Sequence, residues 1–160
     1  MVESRVVSLA RLAGATHDRE GDLKPAHAKT VVVTDDNEDL RSYAATVIEQ
    51  RGHRVLAVAG GAETLDAFSR ERVDLLVLDV MMPDMDGYET LSRLRAAGHT
   101  RLPVIMLTAQ DSDDAVISGY HAGADYYVTK PYKSSTLLNI VDYLIGDLPA
   151  DERAALAAKL

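Results

Sequence analysis

Residues 75–87 read Leu-Leu-Val-Leu-Asp-Val-Met-Met-Pro-Asp-Met-Asp-Gly, an apolar run that ends in a single carboxylate, Asp79, and continues into a turn. A short apolar run that is followed by Pro, Asp and Gly is typical of a buried β-strand. The segment therefore predicts that Asp79 lies at the carboxyl end of a strand, at the edge of a sheet.

Three other apolar runs also end in polar side chains. They deliver an acid pair, a hydroxyl and an amine: Val31–Thr34 precedes Asp35 and Asp36, Val104–Leu107 precedes Thr108, and Tyr126–Thr129 precedes Lys130 and Pro131. Each residue type alone is ordinary, since acid pairs often cap helices and a Lys before Pro usually lies in a solvated loop. Their joint order, one group at the end of each strand, indicates a common site.

Helical patterns separate these runs and give a regular alternation of strands and helices. The predicted strands are 31–34, 54–58, 74–78, 103–107 and 126–128, and the predicted helices are 37–51, 62–71, 88–97, 112–122 and 134–145. Alternation of this kind favours parallel strands with right-handed crossovers, and near-continuous apolar strands indicate helices on both sheet faces. The predicted fold is α/β, a doubly wound five-stranded parallel sheet, (βα)5, in the flavodoxin-like order 2-1-3-4-5.

This strand order predicts where the polar groups meet. Strands one and three are neighbours at the point where the chain changes direction, and the crevice there opens at their carboxyl ends. Asp35, Asp36 and Asp79 would meet at that point, with Thr108 and Lys130 along one side.

The regular pattern covers residues 29–146 and leaves a segment at each end. Residues 1–28 are predicted to be an N-terminal extension, with a short helix from about Glu3 to Ala13 and a flexible lead. Residues 147–160 are predicted to form a short, solvated C-terminal helix, with a dimer contact or a linker stub as alternatives. A helix that begins at Pro149 would place Leu156 and Leu160 one turn apart.

Composition narrows the classes of partner. The chain has 160 residues, a net charge of −8 and no cysteine, which disfavours a broad nucleic-acid surface and excludes disulfide chemistry. Apolar stretches are too short for insertion into a membrane, and the whole fits a cytoplasmic protein. Five histidines are scattered outside any metal motif and are expected at the surface: His17, His27, His53, His99 and His121.

The three acids predict a cation site with a nucleophile beside it. Three bare anions cannot share one crevice, so either a pKa rises or a cation binds. Oxygen ligands without His or Cys suit Mg²⁺, which favours phosphate partners. A carboxylate next to Mg²⁺ can attack phosphorus to give an acyl phosphate, while an ammonium and a hydroxyl neutralise the phosphoryl oxygens.

With these residues in view, the chain resembles the receiver domain of two-component response regulators, the CheY-like family. Four segments carry the resemblance: Val33–Glu38, Leu78–Gly87, Leu107–Ala109 and Gly123–Tyr132. It implies that Asp79 accepts phosphate from a sensor histidine kinase or a histidine phosphotransfer protein. It also implies that Asp36, Asp79 and the Met81 backbone carbonyl ligate Mg²⁺ directly, and that Asp35 acts mostly through water.

The resemblance further implies a switch. Lys130 would pair with the phosphoryl group, Thr108 would move toward it, and Tyr127 would turn inward to fill the vacated space. The Lys130–Pro131 peptide bond would be cis. A downstream protein would bind the surface of the fourth helix, fifth strand and fifth helix, roughly residues 112–145, of a monomer or weak dimer.

Two rival functions remain open at this point. One is the receiver half of a transcription regulator whose DNA-binding domain is absent from this sequence. The other is an aspartyl-phosphate phosphatase, which typically needs a second acid two residues after the nucleophile, where this chain has Met81. An apolar Met81 cannot orient an attacking water, so a phosphorylated Asp79 is expected to hydrolyse slowly. The chain is therefore read as a signalling phosphoacceptor and not as a conventional enzyme.

Overall fold

One sheet organises the part of the chain that this computed structural model describes, namely residues 6–8, 28–109 and 123–160. The strands are β1 Val6–Ser8, β2 Thr30–Thr34, β3 Arg54–Val58, β4 Leu75–Asp79, β5 Val104–Thr108 and β6 Tyr126–Thr129. The helices are α1 Glu38–Glu49, α2 Gly61–Arg70, α3 Gly87–Ala96, α4 Ser134–Ile145 and α5 Ala150–Ala157. Among these described helices, none is long and apolar enough to cross a membrane.

The five-stranded parallel sheet is confirmed. Its order is β3-β2-β4-β5-β6, and all four of these neighbouring pairs are parallel. Because β2 is the first of the five predicted strands, this order is the predicted order 2-1-3-4-5. The predicted helix over residues 112–122 lies outside the described residues.

The N-terminal prediction needs a correction, because Val6–Ser8 form a strand and not part of a helix. This strand, β1, pairs antiparallel with the outer edge of β6. Two consecutive β-branched valines favour extended backbone, and a sheet edge offers amide and carbonyl groups to pair with. The other residues of the predicted extension, 1–5 and 9–27, lie outside the described residues.

The sheet buries an apolar layer on each face. One face, packed against α1 and α4, includes Val31, Val33, Leu75, Val77, Ile105, Val128, Leu137 and Ile140. The other face, packed against α2 and α3, includes Val32, Leu76, Leu78, Phe68, Leu91, Leu94, Val104 and Met106. Every residue of β4 and β5 is buried, as expected for central parallel strands that are covered on both sides.

Side-chain caps set the start of the two helices that follow the site loops. Asn37 accepts a hydrogen bond from the Leu40 amide at 3.0 Å and begins α1. Asp86 accepts one from the Glu89 amide at 2.8 Å and begins α3. Each cap satisfies an amide that the helix itself leaves unpaired, so the loops after β2 and β4 end at defined points.

The predicted C-terminal helix is present as α5, which has no buried residue and yet contacts α4. Leu148 is buried, and Leu160 contacts the apolar layer next to α4. The Arg153 guanidinium lies 4.7 Å from the centre of the Tyr143 ring, close enough for a cation–π contact. Helix α5 is thus held to α4 by both apolar and polar contacts.

His53 is buried, so the prediction that the histidines lie at the surface is wrong for this residue. Its Nδ1 accepts a hydrogen bond from the Lys29 amide at 3.2 Å, and its Nε2 has no hydrogen-bond partner among the described residues. Burial, assisted by the charge of Lys29, lowers the pKa of His53. His99 is half-buried with its ring edge against Phe68, and the other three histidines lie outside the described residues.

We expect His53 to make the protein less stable in acid. A folded-state pKa below the unfolded value means that stability is full above about pH 6.5 and falls as the pH drops below it. His53→Asn keeps an acceptor for the Lys29 amide and removes the titration. Chemical unfolding between about pH 7.5 and about pH 5 should show a shallower pH dependence for this variant than for the parent. His99→Asn is the control, and equal slopes for the parent and His53→Asn would contradict the prediction.

Candidate functional site

Parallel pairing places the acids together at the carboxyl edge of the sheet. Thr34 of β2 pairs with Leu78 of β4, so Asp35 and Asp79 leave the sheet side by side. Side-chain oxygens of Asp35, Asp36 and Asp79 all lie within 4.8 Å of one another. Asp35 and Asp79 are buried, and Asp36 is exposed. The predicted acidic cluster therefore exists, with one solvent-facing member.

Lys130 enters this cluster from the far side of β5. Its backbone amide donates to the Thr108 carbonyl at 2.6 Å, which extends the pairing of β5 with β6 by one residue. Its ammonium lies 2.7 Å from Asp35 Oδ2 and 3.2 Å from Asp79 Oδ1. The Lys130–Pro131 peptide bond is cis, the isomer that the resemblance implied.

Asp35 already has protein partners for both side-chain oxygens. Oδ1 accepts a hydrogen bond from the Asn37 amide at 3.0 Å, while Oδ2 accepts from Lys130. Its backbone carbonyl accepts from Arg41 Nη1 at 2.8 Å. These contacts fix Asp35 in place and leave Asp36 and Asp79 as the more available oxygen donors. The role of Arg41 was missed, because nothing in the sequence marks a long side chain that reaches back to the preceding loop.

The pKa of Asp79 is raised to about 6, first by burial and then by the negative charge of Asp35, against the opposing effect of Lys130. A carboxylate in a dry pocket loses hydration, and one ammonium shared with Asp35 does not replace it fully. The site thus carries more negative charge than its own cation can balance. It is arranged to accept a further cation.

The loop between β4 and α3 closes over the site through a close backbone approach. The Val80 amide donates to the Leu107 carbonyl at 3.0 Å, and the Gly87 amide donates to the Val80 carbonyl at 2.8 Å. A Cβ at Gly87 would lie 2.4 Å from the Asp79 carbonyl oxygen, so only glycine fits there. Between these anchors, Met81 is exposed. Its backbone carbonyl stays a predicted metal ligand.

The two predicted switch residues lie on adjacent strands, two register positions apart, because Thr108 pairs with Thr129 and Tyr127 pairs with Met106. Thr108, the last residue of β5, and Tyr127 of β6 are both fully buried. Tyr127 is therefore already inward in this structure. Its side chain is hydrogen-bonded to that of Tyr88, and burial together with this contact raises the pKa of Tyr88. Tyr88 was not predicted as a site residue, because a tyrosine early in a helix carries no signal of a partner on a distant strand.

Comparison with known families identifies the family to which this fold belongs. A family model for the response regulator receiver domain matches residues 31–142. The chain belongs to this family. The Asp35, Asp36 and Asp79 cluster is consistent with the Mg²⁺ site of a receiver domain.

Similar proteins include regulators and solved receiver domains. The receiver domain is 37% identical over 108 residues to the transcriptional regulatory protein AfsQ1 of Streptomyces coelicolor, with 68% of this chain and 47% of that protein covered. It is 36% identical over 124 residues to the response regulator MprA of Mycobacterium leprae, with coverages of 78% and 54%. The chain thus spans about half the length of these relatives.

Two solved structures show the same architecture. The beryllofluoride-activated receiver domain of DrrB, a protein from Thermotoga maritima, is 32% identical with a TM-score of 0.68, and covers 74% of this chain and 97% of that one. The chemotaxis protein CheY4 of Vibrio cholerae is 28% identical with a TM-score of 0.71, and covers 74% and 99%.

Removing the Asp79 charge should stabilise the receiver domain in the absence of divalent cations. A folded pKa of about 6, against 3.8 for the ordinary group, means that stability is lost as the pH rises between these values. We expect Asp79→Asn to raise the free energy of unfolding by about 1–3 kcal/mol above pH 6. The gain should vanish near about pH 4.

Chemical unfolding in a chelator at several pH values measures this effect. Asp84→Asn is a matched control, because Asp84 is exposed and its left-handed backbone, φ 68°, tolerates asparagine. An unchanged or lowered stability of Asp79→Asn at neutral pH would contradict the assignment of a buried, strained charge.

Proposed function

We propose that this receiver domain works as a phospho-switch in which Asp79 takes the phosphoryl group of a phosphohistidine. The donor is a sensor histidine kinase or a histidine phosphotransfer protein, and the product state is read by a downstream protein. The observation that carries this proposal is the position of the Lys130 ammonium, between two buried carboxylates and within 3.2 Å of Asp79. A cation at that distance can neutralise a phosphoryl oxygen once Asp79 bears one.

The donor set fits Mg²⁺. Carboxylate oxygens form the cluster, Asp36 faces solvent, and the chain has no cysteine. Asp36, Asp79 and the Met81 carbonyl would hold the ion directly, and Asp35, saturated by Asn37 and Lys130, would act mostly through water. When bound, the ion supplies positive charge next to the oxygens of the transferring group.

The chain's own residues account for the transfer step. An oxygen of the Asp79 carboxylate attacks phosphorus, and the bond from phosphorus to the histidine nitrogen of the donor breaks. Lys130 stabilises one phosphoryl oxygen, and the Thr108 hydroxyl at the adjacent strand end binds another. Because the pKa of Asp79 is about 6, its carboxylate is mostly ionised and nucleophilic at neutral pH.

The same groups would couple phosphorylation of Asp79 to a change in the protein surface. Movement of Thr108 toward the phosphoryl group frees space beside Tyr127, whose ring would be fixed inward. The ring belongs to β6 and packs in the apolar layer on the α2 and α3 face of the sheet. Because β6 lies within residues 112–145, the position of the ring would bias the surface that these residues present. A few kcal/mol of differential contact is enough to shift such a two-state population.

A second candidate function is the receiver half of a transcription regulator. This chain spans about half the length of AfsQ1, a relative that is named as a transcriptional regulatory protein. The size of the native protein, measured with an antibody raised against this domain in the source cells, separates the two candidates. A product of about 160 residues favours a stand-alone switch in the cytoplasm, and a product of about twice that length favours the regulator.

Phosphorylation should require both Asp79 and Mg²⁺. After incubation with a small acyl phosphate, intact mass spectrometry should show a gain of one phosphoryl group, ~80 Da, in the parent. We expect no gain in Asp79→Asn or in a chelator, and a much slower gain in Lys130→Met. The control Asp84→Asn should behave like the parent. A gain that survives in Asp79→Asn would place the acceptor elsewhere and overturn the proposal.

Met81 should make the phosphorylated state long-lived. Its side chain is exposed beside Asp79 but has no group that can orient a water for attack on phosphorus. We expect an acyl-phosphate lifetime of minutes or longer, and a shorter lifetime in Met81→Asn, whose amide can hold the water. Met81→Leu is the matched apolar control. Decay within seconds in the parent would contradict this account of residue 81.

A further inference from the structure

The backbone of the switch strand is paired on both of its edges. On one side, Met106 of β5 pairs with Tyr127. On the other side, β1 runs antiparallel, and its residues Val6, Val7 and Ser8 lie opposite Val128, Tyr127 and Tyr126. The short N-terminal strand therefore lies directly against the backbone of the residue that the switch depends on.

The two edges of the parallel sheet differ in how they are protected. β3, at one edge, is half exposed and begins with the charged, exposed Arg54. β6, at the other edge, has no charged residue, and all four of its residues are buried. A flat, uncharged edge strand is a ready template for another strand unless something covers it. In this chain the cover is β1, the one antiparallel partner among the described strands.

We propose that the outer edge of β6 is a strand-binding site whose resident ligand is the chain's own segment Val6–Ser8. An extended segment of a partner can pair with residues 126–128 only after this strand leaves. The proposal rests on the proposed function in one respect, that the surface around Tyr127 is the one that a partner reads. The segment competes at an effective concentration that residues 9–29 set, because they join it covalently to β2.

A pair of full-length variants tests the strand itself. Successive amides of a strand point to opposite sides, so the amide of either residue 6 or residue 7 faces β6. Replacing both valines with proline, Val6→Pro with Val7→Pro, removes that amide whichever residue carries it. Val6→Thr with Val7→Thr keeps both amides and the β-branched shape. Hydrogen exchange followed by NMR should show at least tenfold faster exchange, in the proline variant alone, at those amides of residues 126–128 that face β1. Amides of β4 should stay protected in both variants, which shows that the domain is folded.

Binding in trans gives the second measurement. A labelled peptide with the sequence of residues 1–12 should bind the proline variant at least tenfold more tightly than the parent or the threonine variant. The same peptide with proline at the two valine positions should not bind. Equal exchange at residues 126–128 in all proteins, or equal peptide binding to parent and proline variant, would overturn the proposal.

Phosphorylation provides an independent readout. Both variants should gain one phosphoryl group from a small acyl phosphate, as the parent does, because β6 and β5 lie between β1 and the strands β4 and β2 that carry the acidic cluster. Loss of the gain in all three proteins would count against the proposed function and leave the strand site standing. A normal gain of the phosphoryl group, together with unchanged hydrogen exchange and peptide binding, would overturn the strand site and leave the proposed function standing.

Discussion

The Lys130 ammonium between Asp35 and Asp79 is the interaction on which the rest of the site depends. Two buried carboxylates lie close together, and a buried charge without a partner is costly. One ammonium lowers that cost but leaves the cluster with excess negative charge, which is why the pKa of Asp79 rises to about 6. In the proposed switch, a divalent cation would relieve the remaining charge, and a phosphoryl group would then restore negative charge beside Lys130. Each state of the switch is thus defined by its charge balance.

The sheet exists in this form because parallel pairing brings the ends of distant segments to one edge. Asp79 lies in the middle of the chain and Lys130 near its end, yet β4 and β6 are separated only by β5. The close approach of Gly87 to the Asp79 carbonyl holds the intervening loop against the site. Backbone geometry therefore fixes the positions of the charges, and the side chains have little freedom to relax the strain between them.

The sequence predicted what depends on local pattern and chain order. Alternating apolar runs and helical patterns fixed the five parallel strands, and the position of Asp79 after its run predicted the cluster. The strand at Val6–Ser8 was mistaken for part of a helix, because its pairing partner lies more than a hundred residues away. The burial of His53 and the contact between Tyr88 and Tyr127 were missed for the same reason, since both arise from packing between distant elements. Long-range contacts of this kind leave no periodic signal.

A crystal structure of the protein with Mg²⁺ and beryllofluoride, a mimic of the phosphoryl group, is the most direct test of this charge balance. We expect beryllium bound to the Asp79 carboxylate, Mg²⁺ bound to Asp36 and Asp79, and the Lys130 ammonium within about 3 Å of a fluorine. A beryllofluoride group bound elsewhere, or a metal ion held without Asp79, would contradict the assignment of the site.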